Sequence, residues 1–356
     1  MRLKFLLILI YTAASFSIAF GDCVEGDCKN GKGKFIFVNK AIYEGEFKDS
    51  KMTGKGVYTD PKGDKYEGEF SDGKLNGQGK VTYKNGNVAE GTYKDNLLDG
   101  TGTVISANGD RYTGEFKQGK KHGKGEFIFS NATKYSGMFK EDLFDGEGEI
   151  TYSNGSSFKG SFVKGKPLGN GEFKDATGDI FIGQFKDGKL NGKGKAIFKN
   201  GAIYEGEFKD SKMCGQGFFK DEQGNSYSGE FKNGKLNGKG KINFINGNIF
   251  EGQFLNDLLD GKGKHTDPEG NIYEGEFKKG KFHGKGTYIK QGKFKYIGEF
   301  KDGKFHGQGT VYRPDGTIAY NPIPVPGCFA SYTVYRPDGT IAYKGKFVDG
   351  EFKGEK

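Results

Sequence analysis

A chain of 356 residues would ordinarily hold one to three globular domains, but 63 glycines, 33 Phe, 19 Tyr and no Trp exclude an ordinary core of Leu, Ile and Val. Disordered chains usually lack aromatics, so a glycine content this high alongside so many rings points to regular structure. The formal net charge of +9 comes from lysines interspersed with glutamates, which describes a solvated mixed-charge face rather than a nucleic-acid patch.

In chain order, residues 1–21 read as a cleaved signal peptide. Arg2 and Lys4 form a basic start, Phe5 to Phe20 carries no charge, and Ala19-Phe20-Gly21 is a small-x-small cleavage site with Asp22 as the mature start. The stretch falls short of the ~20 residues that span a bilayer. The expected location is therefore secreted, periplasmic or cell-envelope associated. Residues 22–30 are expected to form an N-terminal cap. Cys23 and Cys28 are near enough to be a disulfide candidate, and export permits one; the alternative is two free thiols. Asp22 argues against lipid attachment at Cys23. Cys214 and Cys328 lie several units apart and should not pair.

Residues 31–309 are organised by one period. A Gly-x-Gly pair ends at Gly33, Gly56, Gly79 and onward to Gly309, at a step of 23 residues. An aromatic-x-Gly-x-aromatic motif keeps the same step, as in Tyr43-Glu44-Gly45-Glu46-Phe47. Glycine at this density, with no 3.6-residue apolar pattern, predicts no helix. Each unit predicts two short antiparallel strands. In the first, Tyr66, Gly68 and Phe70 share a face opposite Glu67 and Glu69. In the second, Gly77 to Tyr83, the residues Gly79, Val81 and Tyr83 share a face. Turns are expected at Asp72-Gly73, Asn76-Gly77 and Asn85-Gly86. An apolar slot four residues before the second Gly of each pair (Met52, Leu75, Leu98, Phe144 and equivalents, with Lys121 and Pro167 as exceptions) is expected to fold under the turn as a plug.

Residues 310–343 hold a near-duplicate: Thr310–Tyr320 recurs as Thr333–Tyr343 around a stretch with Pro322, Pro324 and Pro326. Proline removes ladder donors, so 321–332 is expected to be a loop. Residues 344–356 form a final partial repeat and tail.

The motif Tyr204-Glu205-Gly206-Glu207-Phe208-Lys209-Asp210, followed by Gly215-Gln216-Gly217, resembles the MORN (membrane occupation and recognition nexus) repeat family. The resemblance spans about 31–309, plus Tyr343-Lys344-Gly345-Lys346-Phe347. One departure is systematic: the second aromatic, often Trp in the family, is Phe or Tyr here. The resemblance implies an all-β, elongated, single twisted antiparallel sheet of tandem 23-residue hairpins, each adding roughly 10 Å. It also implies a continuous aromatic face. Tyr43, Phe47, Tyr66, Phe70, Tyr112, Phe116, Tyr204, Phe208, Tyr227, Phe231, Tyr273, Phe277, Tyr296 and Phe300 are the candidate binding residues on it.

No catalytic, cofactor or metal site is expected. The Gly-x-Gly pairs open no helix, so they are not a nucleotide cradle. His122, His283 and His306 occupy a polar turn slot, and His283 and His306 stand about 10 Å apart by strand spacing, too far to share a metal. Asn131-Ala132-Thr133 and Asn154-Gly155-Ser156 match the glycosylation triplet in turn positions. Stacked glutamates such as Glu44, Glu46, Glu67 and Glu69 read as a salt-bridged solvent face. The expected function is a non-enzymatic binding or scaffold protein that engages a protein partner or itself. The alternatives are a peripheral binder of acidic phospholipid and a lipid-kinase relative without its catalytic domain. Nucleic acid and small-molecule substrates are not expected.

Overall fold

The computed structural model describes residues 21–318, 331–335, 341–348 and 351–355. Among them there is no helix; every regular element is a strand. The chain divides into two units, Met1–Thr177 with Phe185–Gly188, and Gly178–Gln184 with Lys189–Lys356.

Each unit is an antiparallel meander in which most 23-residue repeats supply a seven-residue and a nine-residue strand, such as Lys65–Ser71 and Lys74–Thr82. Two residues join them, both at positive φ: Asp72 at 50° and Gly73 at 78°, Asp49 at 49° and Ser50 at 61°. This is the type I′ signature, whose twist matches that of the flanking strands. Alternate connections fall on alternate sides. Each unit therefore has a turn edge, made of these two-residue turns, and a loop edge made of wider ones such as Tyr83–Asn87, closed by Tyr83 N–H to Asn87 O at 2.9 Å.

Asn76-Gly77 is not a turn. It lies inside the strand Lys74–Thr82, where Gly68 pairs with Gly79 and Phe70 with Leu75, so Glu69 faces the three residues Asn76, Gly77 and Gln78. The two extra residues bulge outward, with Gly77 at φ 104°. A short polar-Gly pair signals a change of chain direction, and a bulge needs the same left-handed glycine as a turn. Only the register distinguishes them.

The plug residues tie one repeat to the next. Met52, Leu75, Leu98, Phe144, Leu190, Leu236 and Leu259 are buried. Their carbonyls accept the N–H of the following turn, Gly73 N–H to Met52 O at 3.0 Å and Gly119 N–H to Leu98 O at 2.8 Å. The Asn or Asp just after the plug caps the same turn, as Asn76 Oδ1 does for Asp95 N–H at 3.0 Å. Stability is thus built between neighbours, as in other repeat arrays.

Of the ends, Gly21–Gly26 pairs with Lys32–Phe37, and Cys23 and Cys28 are joined by a disulfide. The expected signal peptide, apart from Gly21, lies outside the described residues. So do 319–330 of the proline segment, while Ser331 and Tyr332 belong to the strand Ser331–Tyr335 rather than to a loop. That strand, Ile341–Val348 and Glu351–Glu355 form a three-stranded antiparallel sheet.

Candidate interaction surfaces

The glycines meet across successive ladders of each unit. In the first unit Gly33 pairs with Gly45, Gly56 with Gly68, and so on to Gly171; in the second the row runs from Gly194 to Gly309. Something must fill the space their missing side chains leave, and two fillings occur. In seven repeats the first aromatic of the motif lies over the row: Tyr43, Tyr112, Tyr135, Phe158, Tyr204, Tyr273 and Tyr296. In five it is the plug: Leu75, Leu98, Leu190, Leu236 and Leu259. The plug's identity separates the two groups without exception. Leucine, with two δ-methyls at the end of a short branch, reaches the glycines itself. Met52, Lys121, Phe144, Pro167, Met213, Phe282 and Phe305 leave that place to the ring.

This determines which aromatics reach the surface. Of the fourteen candidate binding residues, Tyr43, Phe47, Phe70, Tyr112, Phe116, Tyr204, Phe208, Phe231, Tyr273, Phe277, Tyr296 and Phe300 are buried. They are the core, not a presented face: a single layer closes over itself because rings pack edge-to-face from repeat to repeat, as Tyr43 does on Phe47 and Phe70 at 5.1 Å. Tyr66 and Tyr227, each displaced by a leucine plug, are half-buried. So are Phe181 and Phe250, displaced in the same way, which the motif alone gave no reason to set apart. In the second unit these rings join a half-buried row under the loop edge: Phe219 to Tyr227 at 5.6 Å, Tyr227 to Phe244 at 6.3 Å, Phe244 to Phe250 at 5.8 Å, and Phe250 stacked on His265 at 4.3 Å.

The hydroxyls of the tyrosines that lie over the glycine row are satisfied by backbone. Tyr112 Oη donates to Glu115 O at 2.8 Å and Tyr273 Oη to Glu276 O at 2.7 Å. Burial pushes the Tyr204 and Tyr273 phenols up to about 12. Ala89, which lacks a ring, is served by the adjacent motif position: Tyr93 Oη donates to Ala89 O at 3.0 Å, and a cavity of 30 Å³ remains beside Leu98 and Lys121.

The opposite face carries the charges. Cross-strand pairs such as Lys195–Glu205 at 2.7 Å fit the expected salt-bridged surface. The glutamate after the motif glycine has a further role. Glu115 Oε1 accepts Lys124 N–H at 2.9 Å across the bulge, Glu69 Oε2 accepts Gln78 N–H at 3.3 Å, and Glu276 does the same for Lys285. Where Met138 takes this slot, an open trough of 610 Å³ lies on the charged face. Gly114, Gly125, Gly137 and Gly148 form its floor, and Thr113, Lys124, Ser136, Glu147 and Lys159 are among its walls.

The histidines His122, His283 and His306 face Glu115, Glu276 and Glu299 at the bulges. His265 sits on the ring face, hydrogen-bonded to Asn248 Oδ1 at 2.8 Å, and burial lowers its pKa. Among the described residues no group of three or more His, Cys, Asp or Glu is placed to hold a metal.

The MORN repeat profile matches twelve consecutive segments, from 43–65 through 204–226 to 296–318. The chain belongs to the MORN-repeat family. Each match but one begins at the first motif aromatic, the exception beginning at Glu90 beside Ala89, and each covers one hairpin, its bulge and one loop. Among solved structures, this MORN chain is similar to the TCP10 domain of Danio rerio CPAP in complex with a peptide of Danio rerio STIL (14% identity, 56% of this chain and 90% of that one, TM-score 0.35). It is also similar to the SAS-4 TCP domain of Drosophila melanogaster in complex with a proline-rich motif of Ana2 (18% identity, 50% and 90%, TM-score 0.29). No curated protein sequence matches it.

Proposed function

We propose that this chain is an exported, non-enzymatic MORN scaffold that binds other proteins or copies of itself. The observation that carries the reading is what the repeats turn outward. Most of their motif aromatics are buried in the core, leaving a charged face and two edges that recur at the same interval along each unit. A surface repeated at fixed spacing suits the capture of an extended partner or of several. The basic start at Arg2 and Lys4, the uncharged stretch to Phe20 and the Cys23–Cys28 disulfide support export into an oxidising compartment.

The test is crosslinking of the native protein in its own cells, followed by identification of what is attached. Specific protein adducts, or adducts of the chain with itself, are the expected result; a chain that attaches to nothing overturns the reading. A second reading, weak binding to acidic phospholipid, is favoured by Lys232, Lys235, Lys278, Lys279 and Lys281 on the turn edge of the second unit. It predicts co-sedimentation with acidic vesicles that salt abolishes, and none with neutral ones.

A further inference from the structure

The two edges of the second unit carry complementary patterns, and we infer that the turn edge of one copy docks on the loop edge of a second copy. The inference rests on the scaffold reading and gives it a partner and a surface.

On the turn edge, Lys232 and Lys235 flank Asn233-Gly234, and two repeats later Lys278, Lys279 and Lys281 surround Gly280. Neither turn contains a carboxylate. The turn between them has no lysine; it exposes Leu255 and Leu258, 51% and 49% accessible. Its Asp257 is engaged, Oδ1 accepting Leu236 N–H at 2.7 Å. The sequence along this edge is basic, apolar, basic.

On the loop edge, Asp221 and Glu222 occupy one loop, and two repeats later Asp267 and Glu269 occupy another. The loop between them exposes Ile245, 77% accessible. Asp221 and Asp267 hold their own loops through Asn225 and Asn271, so Glu222 and Glu269 are the outward charges. The loops 221–225, 244–248 and 267–271 contain no Lys or Arg, and Lys220 is the one cation next to them in sequence. This edge reads acidic, apolar, acidic, at the same two-repeat interval of about 20 Å. Two copies of one array share one rise per repeat, so if the outer pairs are in register the Leu255/Leu258 turn meets Ile245.

The lysines are free to act outward. In the first unit, turn lysines are paired with the next turn's carboxylate: Lys51 with Asp72 at 2.9 Å, Lys74 with Asp95 at 2.8 Å, Lys166 with Asp187 at 3.5 Å. In the second unit the ion pairs run Lys189–Asp210, Lys195–Glu205 and Lys241–Glu251, and among the described residues these five turn-edge lysines are in none. The protein also contains an example of the contact expected. Lys121 Nζ lies 5.7 Å from the centroids of both Tyr112 and Phe127 and 3.4 Å from Asp142. A lysine arriving at the loop edge meets the same combination, Glu222 or Glu269 above the row from Phe219 to His265.

Turn edge on loop edge is a heterologous contact, which builds a ring or an open filament rather than a closed dimer. Association should therefore continue past the dimer with concentration and dissolve in high salt, where the Debye length falls from about 10 Å at 0.1 M to about 3 Å at 1 M.

The test is sedimentation velocity on the full chain at low and high salt, with the variants K278E/K279E/K281E and E222K/E269K. Circular dichroism verifies that both keep the wild-type fold, as expected for exposed turn positions. The wild-type chain should grow beyond a dimer at low salt. Each variant alone should sediment as one chain, and an equal mixture of the two should recover association, because each reversed edge then meets its complement. Variants that assemble like wild type, or a mixture that stays apart, overturn the inference. So does a wild-type chain that never self-associates, including one whose lysine edge serves only acidic vesicles. If that chain still crosslinks to a different protein, the scaffold reading stands without this inference; if it captures nothing, both fall.

Discussion

The ring of Tyr112 occupies the space a side chain would need at Gly125: a methyl group placed there would meet Tyr112 Cε2 and Oη at 2.5 Å. The glycine is required by close approach, not by its φ. Gly125→Ala should therefore lower stability by about 1–3 kcal/mol, the usual cost of overpacking a filled site. Urea unfolding checks this. The same change at Gly155, which has nothing within 4 Å but sits at φ 84°, isolates the conformational cost of a left-handed position from the steric one.

The exchange between plug and ring should be reversible by substitution. Met213→Leu should place δ-methyls over the glycine row and turn Tyr204 outward, while Leu236→Met should draw Tyr227 inward and break its 3.1 Å bond to Asp221 Oδ2. Both swaps conserve volume, so each should cost less than about 1.5 kcal/mol. Crystal structures of the two variants decide it; unchanged ring positions in both would show that the plug follows the ring.

Alkali should unfold the protein. The buried phenols of Tyr58, Tyr204 and Tyr273 have pKa values pushed up to about 12, first by burial, from an ordinary value near 10. A raised folded-state pKa means the unfolded chain releases its proton first. The stability these groups contribute is complete below pH 10 and is lost as pH rises from about 10 through 12. Tyrosinate absorbance should appear together with the loss of β circular dichroism rather than ahead of it.

Removing the disulfide should act locally. Cys23 and Cys28 are five residues apart, and closing so short a loop contributes roughly 2 kcal/mol in the chain-entropy account. Since each strand leans only on its neighbours, Cys23→Ser with Cys28→Ser should speed amide exchange in Gly21–Gly26 while leaving exchange near Tyr204 unchanged.

Sequence alone determined the period, the two strands per repeat, turns such as Asp72-Gly73 and the family. All four follow from local chemistry: alternation, glycine at left-handed positions, and a motif repeated often enough to exclude chance. It also placed the plug and made Cys23 and Cys28 candidates for pairing. Three things were decided only by the tertiary structure. Asn76-Gly77 became a bulge because strand register, not dipeptide identity, separates a bulge from a turn. The aromatic stripe became a core because rings of successive repeats close over the glycine row, which alternation along one strand cannot show. And which rings remain half-exposed, Tyr66 and Tyr227 but not Tyr43 or Tyr204, depends on whether a leucine from the partner strand reaches the glycines first. That is a competition for one volume between residues nine positions apart, and it exists only once the hairpin has formed.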